Sequence, residues 1–360
     1  MTREDIVRHF DLQGTVASIE PLGNGLINDT YRVKTAEADQ PDYVLQRINH
    51  AVFKDVDLLQ RNIEAVTRHL RAKLQQDECG DIDRRVLRFI PAKDGKAYYF
   101  DGENYWRTSV FIPDTLTIDE VTPASSYDAG RAFGQFEGML TDFPEVLGET
   151  IPDFHNMELR LNQLRQAVAD DRKGRVAQVG TELALIWKHA EQMCRAEQMH
   201  RQGLLPKRIC HCDTKVNNIL FDREGHVLCV IDLDTVMPAY VFSDYGDFLR
   251  TAANTMPEDS PEQDSVAFRW DIFEAFTRGY LESTRSFLMP VETENLPYAV
   301  GLFPMMQAVR FLTDYLNGDT YYKIRYPEHN LVRTRNQLRY FQQVEARKED
   351  MERLIQSLIK

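Results

Sequence analysis

The segment His211-Cys212-Asp213-Thr214-Lys215-Val216-Asn217-Asn218 decides the fold of this 360-residue chain, together with the apolar run that follows it and ends in Ile231-Asp232. It combines an acid, a lysine two positions later, an amide five positions later and a second acid after a strand. Phosphoryl transfer needs these groups, because it requires an oriented hydroxyl, oxygen ligands for magnesium and positive charge at the transferred phosphate. This set of residue types therefore fits a phosphoryl-transfer site.

Each polar residue of this loop has a predicted role. Asp213 is predicted to orient the attacking hydroxyl or to accept its proton. Asn218 and Asp232 are predicted to hold Mg²⁺, which takes few protein oxygens and keeps phosphate oxygens and waters as its other ligands. Lys215 is predicted to neutralise charge on the transferred phosphoryl group. ATP is the expected phosphoryl donor.

Three nearby features admit two interpretations each. His211 is interpreted as a residue that holds the backbone rather than one that transfers protons. Asp234 either assists the metal or forms an ordinary ion pair. The run Cys210-His211-Cys212 looks like a zinc site, but adjacent residues on a strand point to opposite faces and do not easily share one ion.

Composition and charge exclude several classes of protein. A formal net charge of -13 disfavours nucleic acid and anionic lipid as partners, because such partners need a basic surface. The sequence contains no run of about 20 apolar residues, and MTREDIVRHF lacks the apolar core of a signal peptide. Five cysteines without a CxxC pair indicate no disulfide framework. A cytoplasmic protein that binds neither nucleic acid nor membrane is expected, and a monomer is favoured.

The hydrophobic pattern predicts an α+β fold with two lobes. From Gly14 to about Pro113, short β-type runs alternate with turn residues, which indicates an antiparallel sheet. One amphipathic helix interrupts it, with apolar residues three and four apart in DVDLLQRNIEAVTRHLRAKL. Helical periodicity dominates afterwards. The predicted domains are an N-lobe over residues 1–113 and a mainly helical C-lobe over residues 114–360.

The pattern HxDxKxxN followed by a strand-borne Asp resembles the catalytic loop and metal-binding aspartate of the protein kinase and aminoglycoside phosphotransferase superfamily. The resemblance implies a two-lobed protein-kinase-like fold whose N-lobe binds ATP. It also likens Asp244 to the aspartate at a helix start that braces the catalytic loop. From the sequence, a plain N-cap of the next helix fits Asp244 equally well.

The nucleotide-binding candidates lie in the N-lobe. Gly23-Asn24-Gly25 reads as a turn between two strands whose amides approach the triphosphate, although many hairpins use Asn-Gly only for its positive φ angles. Gln46 occupies the place where the superfamily has a strand lysine, so the usual ion pair with a helix glutamate cannot form. By its order along the chain, Phe111-Ile112 is the expected adenine hinge.

A closer resemblance, to the N-acetylhexosamine 1-kinase family, spans nearly the whole chain. It covers GNGLINDTY, the strand with Gln46, HCDTKVNNILFD, VIDLDTVMP and RFLTDYLNGDTYYKIRYPEHNLVRTR. It implies that the anomeric hydroxyl of N-acetylglucosamine or N-acetylgalactosamine is phosphorylated, that Asp213 is the general base, and that Arg310 and Tyr321 line the sugar pocket. Without the resemblance, the segment around these two residues reads as a helix and a surface loop.

Other functions remain open at this point. Kinases of choline, homoserine or an aminoglycoside share the loop motif. The run Asp232-Leu233-Asp234-Thr235-Val236 also fits the DxDx[TV] loop of haloacid-dehalogenase-type phosphatases, although that motif usually opens a chain of alternating strands and helices. The glutamine at position 46 keeps a catalytically inactive kinase-like binding module in consideration, although Asp213, Asn218 and Asp232 argue against it.

Overall fold

The computed structural model describes residues 1–23, 27–118 and 120–360, so Asn24 and Gly25 of the predicted glycine turn lie outside the described residues. The chain forms two compact units. The first contains Met1–Thr117, Asp142–Pro152 and Asn218–Met237, and the second contains Ile118–Thr141, Asp153–Asn217 and Pro238–Lys360. The first unit therefore takes in two segments that follow its main stretch in sequence.

The secondary structure is that of an antiparallel-sheet N-terminal region and a helical C-terminal region, as the sequence predicts. The strands are β1 (Val16–Pro21), β2 (Asp29–Thr35), β3 (Tyr43–Ile48), β4 (Phe89–Ile90), β5 (Tyr99–Phe100), β6 (Tyr105–Val110), β7 (Arg208–Cys210), β8 (Ile219–Phe221), β9 (Val227–Val230) and β10 (Met237–Ala239). The helices are α1 (Arg3–Val7), α2 (Val56–Gln76), α3 (Ile82–Arg85), α4 (Pro123–Met139), α5 (Met157–Asp170), α6 (Gly180–Met193), α7 (Arg195–Arg201), α8 (Phe242–Ala252), α9 (Trp270–Thr284), α10 (Pro290–Glu294), α11 (Leu296–Asn317), α12 (His329–Glu345) and α13 (Lys348–Ile359).

The sheet of the first unit runs in the order β1-β2-β3-β6-β4, and β5 pairs with β6. Its pairs are antiparallel. Alternate residues of β3 point into the core, because successive side chains of a strand face opposite sides; Tyr43 and Leu45 are buried against Ile6 and Phe10 from the N-terminal segment. The predicted sheet is confirmed.

The predicted inserted helix is α2. Asp55 caps it by accepting a hydrogen bond from the Leu58 N–H, and its apolar residues at spacings of three and four are buried. The buried Asn62 amide on this helix donates to the main-chain oxygens of Gly148 and Val236. These bonds connect α2 to the two later segments of the first unit.

A β8–β9 hairpin occupies the last segment of the first unit. Gly225 adopts a φ of +87° at its turn, which a glycine reaches without steric cost. At its open end, the Ile231 N–H donates to the Asn218 oxygen over 2.9 Å. The hairpin therefore brings the residue before β8 next to the residue after β9.

In the second unit, α4 and α9 pack with their backbones in close approach. A Cβ atom on Gly279 would lie 2.1 Å from the Tyr127 carbonyl oxygen, and one on Gly130 would lie 2.3 Å from the Phe276 oxygen. Only glycine fits at these two positions, which we call the glycine seam. Within the described part of the chain, no helix has the length and apolar character needed to span a bilayer.

Candidate active site

Asp244 holds the predicted catalytic loop through hydrogen bonds. Its two carboxylate oxygens accept hydrogen bonds from the main-chain N–H groups of His211 and Cys212, each over 2.7 Å, and its main-chain oxygen accepts one from the Thr214 hydroxyl. The side chain does not cap its own helix, which begins at Phe242. Of the two interpretations of Asp244, the structure therefore supports the one in which it braces the loop.

His211 is part of the support of the loop. It is fully buried, with the edges of the Phe133 and Phe136 rings packed against its imidazole. Its Nδ1 atom accepts a hydrogen bond from the Asp213 N–H over 3.3 Å. This geometry agrees with the predicted backbone-holding role.

The two predicted catalytic residues lie together. The Asp213 carboxylate is 2.5 Å from the Lys215 ammonium, and both side chains remain partly exposed, at 26% and 39%. Burial would lower the pKa of Lys215, but the charges of Asp213 and Asp247 outweigh it and raise that pKa. Asp247 in turn pairs with Arg250, which also pairs with Glu258. The loop thus starts a row of alternating charges within the second unit.

The two predicted metal ligands lie at the open end of the β8–β9 hairpin. Asn218 is buried just before β8, and Asp232 is exposed just after β9, with a left-handed φ of +60°. The Asn218–Ile231 backbone bond keeps these positions adjacent. An amide oxygen and a carboxylate suit a hard cation such as Mg²⁺. The antiparallel hairpin gives no support to the phosphatase alternative, whose fold alternates strands and helices.

Asp234 is an ion-pair partner, one of its two predicted roles. Its Oδ1 atom is 2.6 Å from the Arg107 Nη2 atom, with both side chains almost completely buried. Its Oδ2 atom accepts a 2.7 Å hydrogen bond from the Asn28 amide. The sequence does not signal Arg107, because an arginine on a strand usually indicates a solvent-facing position.

Gln46 lies beside Arg107 in the sheet, since β3 and β6 pair at these two residues. Its Oε1 atom accepts a 2.9 Å hydrogen bond from Arg107 Nε, and its Nε2 atom donates to the Thr30 hydroxyl over 3.2 Å. Both ends of the amide are therefore used inside the first unit. A direct contact of Gln46 with the nucleotide stays a prediction.

The remaining nucleotide-binding candidates also belong to the first unit. Gly23 has a left-handed φ of +69°, as expected of a turn glycine, while its predicted partners Asn24 and Gly25 lie outside the described residues. Phe111 and Ile112 directly follow β6. The Phe111 ring lies under the guanidinium of a β2 arginine, and Ile112 is buried. Their role as an adenine hinge stays a prediction.

The two predicted sugar-pocket residues have different environments. Arg310 on α11 donates to the Gln307 Oε1 atom over 3.0 Å, and its guanidinium lies 5.7 Å from the ring centres of both Phe154 and Tyr322. Tyr321 is 68% exposed. Its neighbour Tyr322 is the tyrosine beside Arg310, and its hydroxyl accepts a hydrogen bond from Gln307. Sequence reasoning missed Gln307 and Tyr322.

Two more arginines and a histidine interact electrostatically in the same region as Arg310. Burial, followed by the charges of Arg310, Arg160 and Arg250, lowers the pKa of His155 well below its usual value, so its imidazole is neutral. Burial and Arg310 also lower the pKa of Arg160, which donates to two main-chain oxygens. We call these three arginines and His155 the arginine cluster. It lies in the second unit, and Arg250 connects it to Asp247.

A buried pair of carboxyl groups lies under the catalytic loop. Ligand atoms of Glu137, Asp244 and Cys210 all lie within 4.8 Å of one another, and Tyr280 donates to Glu137 over 2.8 Å. Burial and the charge of Asp244 raise the pKa of Glu137 well above its usual value. Burial also raises the pKa of the Cys210 and Cys212 thiols. Burial therefore favours a proton on Glu137 beside the Asp244 carboxylate.

Replacing Glu137 with Gln should make stability less dependent on pH. The folded state binds the Glu137 proton more tightly than the unfolded state, so stability falls as the pH rises from the ordinary value of 4.5 towards the folded pKa. The slope approaches about 1.4 kcal/mol per pH unit for one such group. Urea unfolding at pH 5 to 8 should show a shallower decline for Glu137→Gln than for the parent, and equal slopes would contradict the buried proton.

The comparisons with known proteins agree with this geometry. Residues 18–282 match the model described as the phosphotransferase enzyme family. Among solved structures, an aminoglycoside phosphotransferase from Alicyclobacillus acidocaldarius has a TM-score of 0.63 at 13% identity, covering 99% of this chain and 97% of that chain. A microcompartment-associated aminopropanol kinase has a TM-score of 0.60 at 18% identity, covering 96% of each chain. A choline/ethanolamine kinase family protein from Mesorhizobium loti has a TM-score of 0.54 at 15% identity, covering 99% of this chain and 97% of that chain.

The family match extends over most of the chain, and its range includes the predicted catalytic loop, both metal-ligand candidates and Asp244. The similar structures share the fold along almost the whole length of the chain. The predicted kinase-like fold is thereby confirmed. The chain belongs to the phosphotransferase enzyme family, whose model matches residues 18–282.

Proposed function

We propose that this protein is a kinase that transfers the γ-phosphoryl group of Mg-ATP to the anomeric C1 hydroxyl of an N-acetylhexosamine, which yields the sugar 1-phosphate and ADP. The anomeric position comes from the sequence resemblance to the N-acetylhexosamine 1-kinases. The arginine cluster is the observation that carries the choice of acceptor class. Its members connect through Arg250 and Asp247 to the charge row that begins at Asp213.

The charge of this cluster favours a neutral acceptor over a cationic one. Choline, aminopropanol and aminoglycosides carry ammonium groups, which need acids or unobstructed aromatic faces. Arg160 donates to two main-chain oxygens and Arg310 to an amide oxygen. The charge of Asp153 raises the pKa of Arg160 by less than burial and the charge of Arg310 lower it. An ammonium group beside them would be repelled.

An N-acetylhexosamine offers what these side chains can bind. Its hydroxyl and acetamide oxygens accept hydrogen bonds from guanidinium groups, and its apolar ring face packs on aromatic rings. Phe154 and Tyr322 supply such rings beside Arg310. The neutral imidazole of His155 offers a ring nitrogen, Nδ1, that has no hydrogen-bond partner among the described residues.

In the proposed mechanism, the Asp213 carboxylate orients the C1 hydroxyl and accepts its proton as the oxygen attacks the γ-phosphorus. A new O–P bond forms, and the bond from the γ-phosphorus to the β,γ-bridging oxygen breaks, with its electron pair leaving on ADP. The Lys215 ammonium, fixed by Asp213, balances charge on the transferred group. Asn218 and Asp232 would hold Mg²⁺, which neutralises phosphate charge when bound.

The sharpest test compares two sugars that differ by one group. N-Acetylglucosamine and glucosamine share a ring, but the second carries an ammonium group in place of the acetamide. ATP consumption should be at least about 10-fold more efficient with N-acetylglucosamine, since a misplaced charge costs more than 1.4 kcal/mol. Choline, homoserine, kanamycin and glucose complete the screen. A preference for glucosamine, choline or kanamycin would overturn the proposed acceptor.

Arg310→Gln should raise the KM for N-acetylglucosamine about 10- to 100-fold, because a charge-assisted hydrogen bond to the sugar is lost, and it should leave the KM for ATP unchanged. Arg165→Gln is the matched control, since Arg165 is an exposed arginine that lies over Trp187 in the same unit. Steady-state kinetics with each substrate varied in turn would separate the two constants. A rise in the KM for ATP alone would contradict the assignment of Arg310 to the sugar pocket.

A further inference from the structure

Arg107 and Asp234 form an ion pair in which both side chains are almost completely buried. Two buried charges cost desolvation energy, and a well-packed apolar pair often stabilises a fold equally well. Arg107 also keeps one donor, Nη1, buried without a partner among the described residues. Such an unused charged donor is costly. The buried pair is therefore weak evidence for a role in stability alone.

The pair is anchored from both sides within the first unit. Gln46 fixes the Arg107 guanidinium through its Nε atom, and β3–β6 pairing fixes Gln46. Asn28 donates to the second carboxylate oxygen of Asp234. The Thr150 hydroxyl donates to the Asp234 main-chain oxygen over 2.9 Å. Both the side chain and the backbone of Asp234 are thus held in one place.

Asp234 lies in the short turn Leu233–Thr235, which begins directly after Asp232. Asp232 has a left-handed backbone, an uncommon conformation for a residue other than glycine, and it persists only where the surroundings determine it. Asp234, whose side chain and main chain are both held, lies two residues later and restrains the turn that follows Asp232.

We infer that Arg107 is a positioning residue for the Asp232 carboxylate and hence for divalent-cation binding. Arg107 acts in two ways. It holds Asp234 and so fixes the turn that aims Asp232. It also neutralises Asp234, so this second carboxylate does not compete with Asp232 for the cation. Gln46 acts through Arg107. The inference rests on the proposed use of Mg-ATP and is independent of the acceptor sugar.

The test measures Mn²⁺ binding in the presence of ADP and without any acceptor, by electron paramagnetic resonance of free Mn²⁺. The main variant is Arg107→Met/Asp234→Leu, which replaces the ion pair by apolar residues and so retains folding. We expect a melting temperature close to that of the parent and a Mn²⁺ dissociation constant raised about 10-fold, the usual effect of losing a group that orients a metal ligand. Gln46→Met keeps the ion pair. It should also raise the Mn²⁺ dissociation constant, but by a smaller factor.

The matched control is Arg335→Met/Glu182→Leu, which removes another ion pair that contains a buried glutamate, in the second unit. Its Mn²⁺ constant should equal that of the parent. Parent-like Mn²⁺ binding in both the Arg107/Asp234 and the Gln46 variants would overturn the positioning role and leave the proposed function intact. A parent enzyme that fails to bind Mn²⁺ with ADP would overturn both.

Discussion

Asp213→Asn is expected to lower kcat about 1,000-fold, within the range that a positioned general base contributes. The amide keeps the size of the side chain but loses the negative charge that accepts the hydroxyl proton and holds Lys215 at 2.5 Å. Nucleotide affinity should change little, because the predicted nucleotide contacts belong to other residues. Single-turnover kinetics with N-acetylglucosamine, together with calorimetric titration of ADP, would measure both quantities.

The control for this variant is Asp264→Asn, which changes an exposed acid of the same unit. It should behave as the parent does. A kcat for Asp213→Asn within about 10-fold of the parent would exclude general-base catalysis by Asp213, since the loss expected for a base is at least about 100-fold.

Asp244→Ala is expected to have the largest effect on stability. It leaves the N–H groups of His211 and Cys212 buried without their acceptor, at about 1–3 kcal/mol for each. The free energy of unfolding should fall by roughly 2–6 kcal/mol, and kcat should fall with it, because the loop that carries Asp213 loses its support. Urea titration and steady-state kinetics would measure the two losses.

Asp271→Ala is the matched control, because Asp271 is also an acid in the first turn of a helix of the second unit but is about half exposed. It should cost less than about 1 kcal/mol. If Asp244→Ala were as stable as this control, the bracing role of Asp244 would be wrong.

Most of the fold could be predicted because its secondary-structure elements follow from local patterns in the sequence. The alternation of the β-type runs and the spacing of apolar residues in α2 depend on neighbours within a few positions, so both could be predicted. The spacing from Asp213 to Asn218 identified the loop for the same reason. The β8–β9 hairpin was predictable as a hairpin, but not its membership of the first unit, because that depends on long-range packing.

The polar networks could not be predicted, because their members come from distant parts of the chain. The hydrogen bond between Asn28 and Asp234 joins residues 206 positions apart. His155 and Arg310 come from separate segments, and nothing in the local pattern of either indicates the other. Tyr321 and Tyr322 show the limit at close range: the sequence contains both, but only the packing shows that Tyr322 lies beside Arg310.

The glycine seam has a consequence for how distant mutations can act. Tyr280 on α9 donates to Glu137 on α4, so the two halves of the support beneath the catalytic loop belong to helices whose spacing the seam sets. Even one added methyl group at Gly279 must push α9 away from α4 and stretch that hydrogen bond. Substitutions at these two glycines are therefore expected to lower catalytic turnover as well as stability. Neither glycine is a predicted substrate contact.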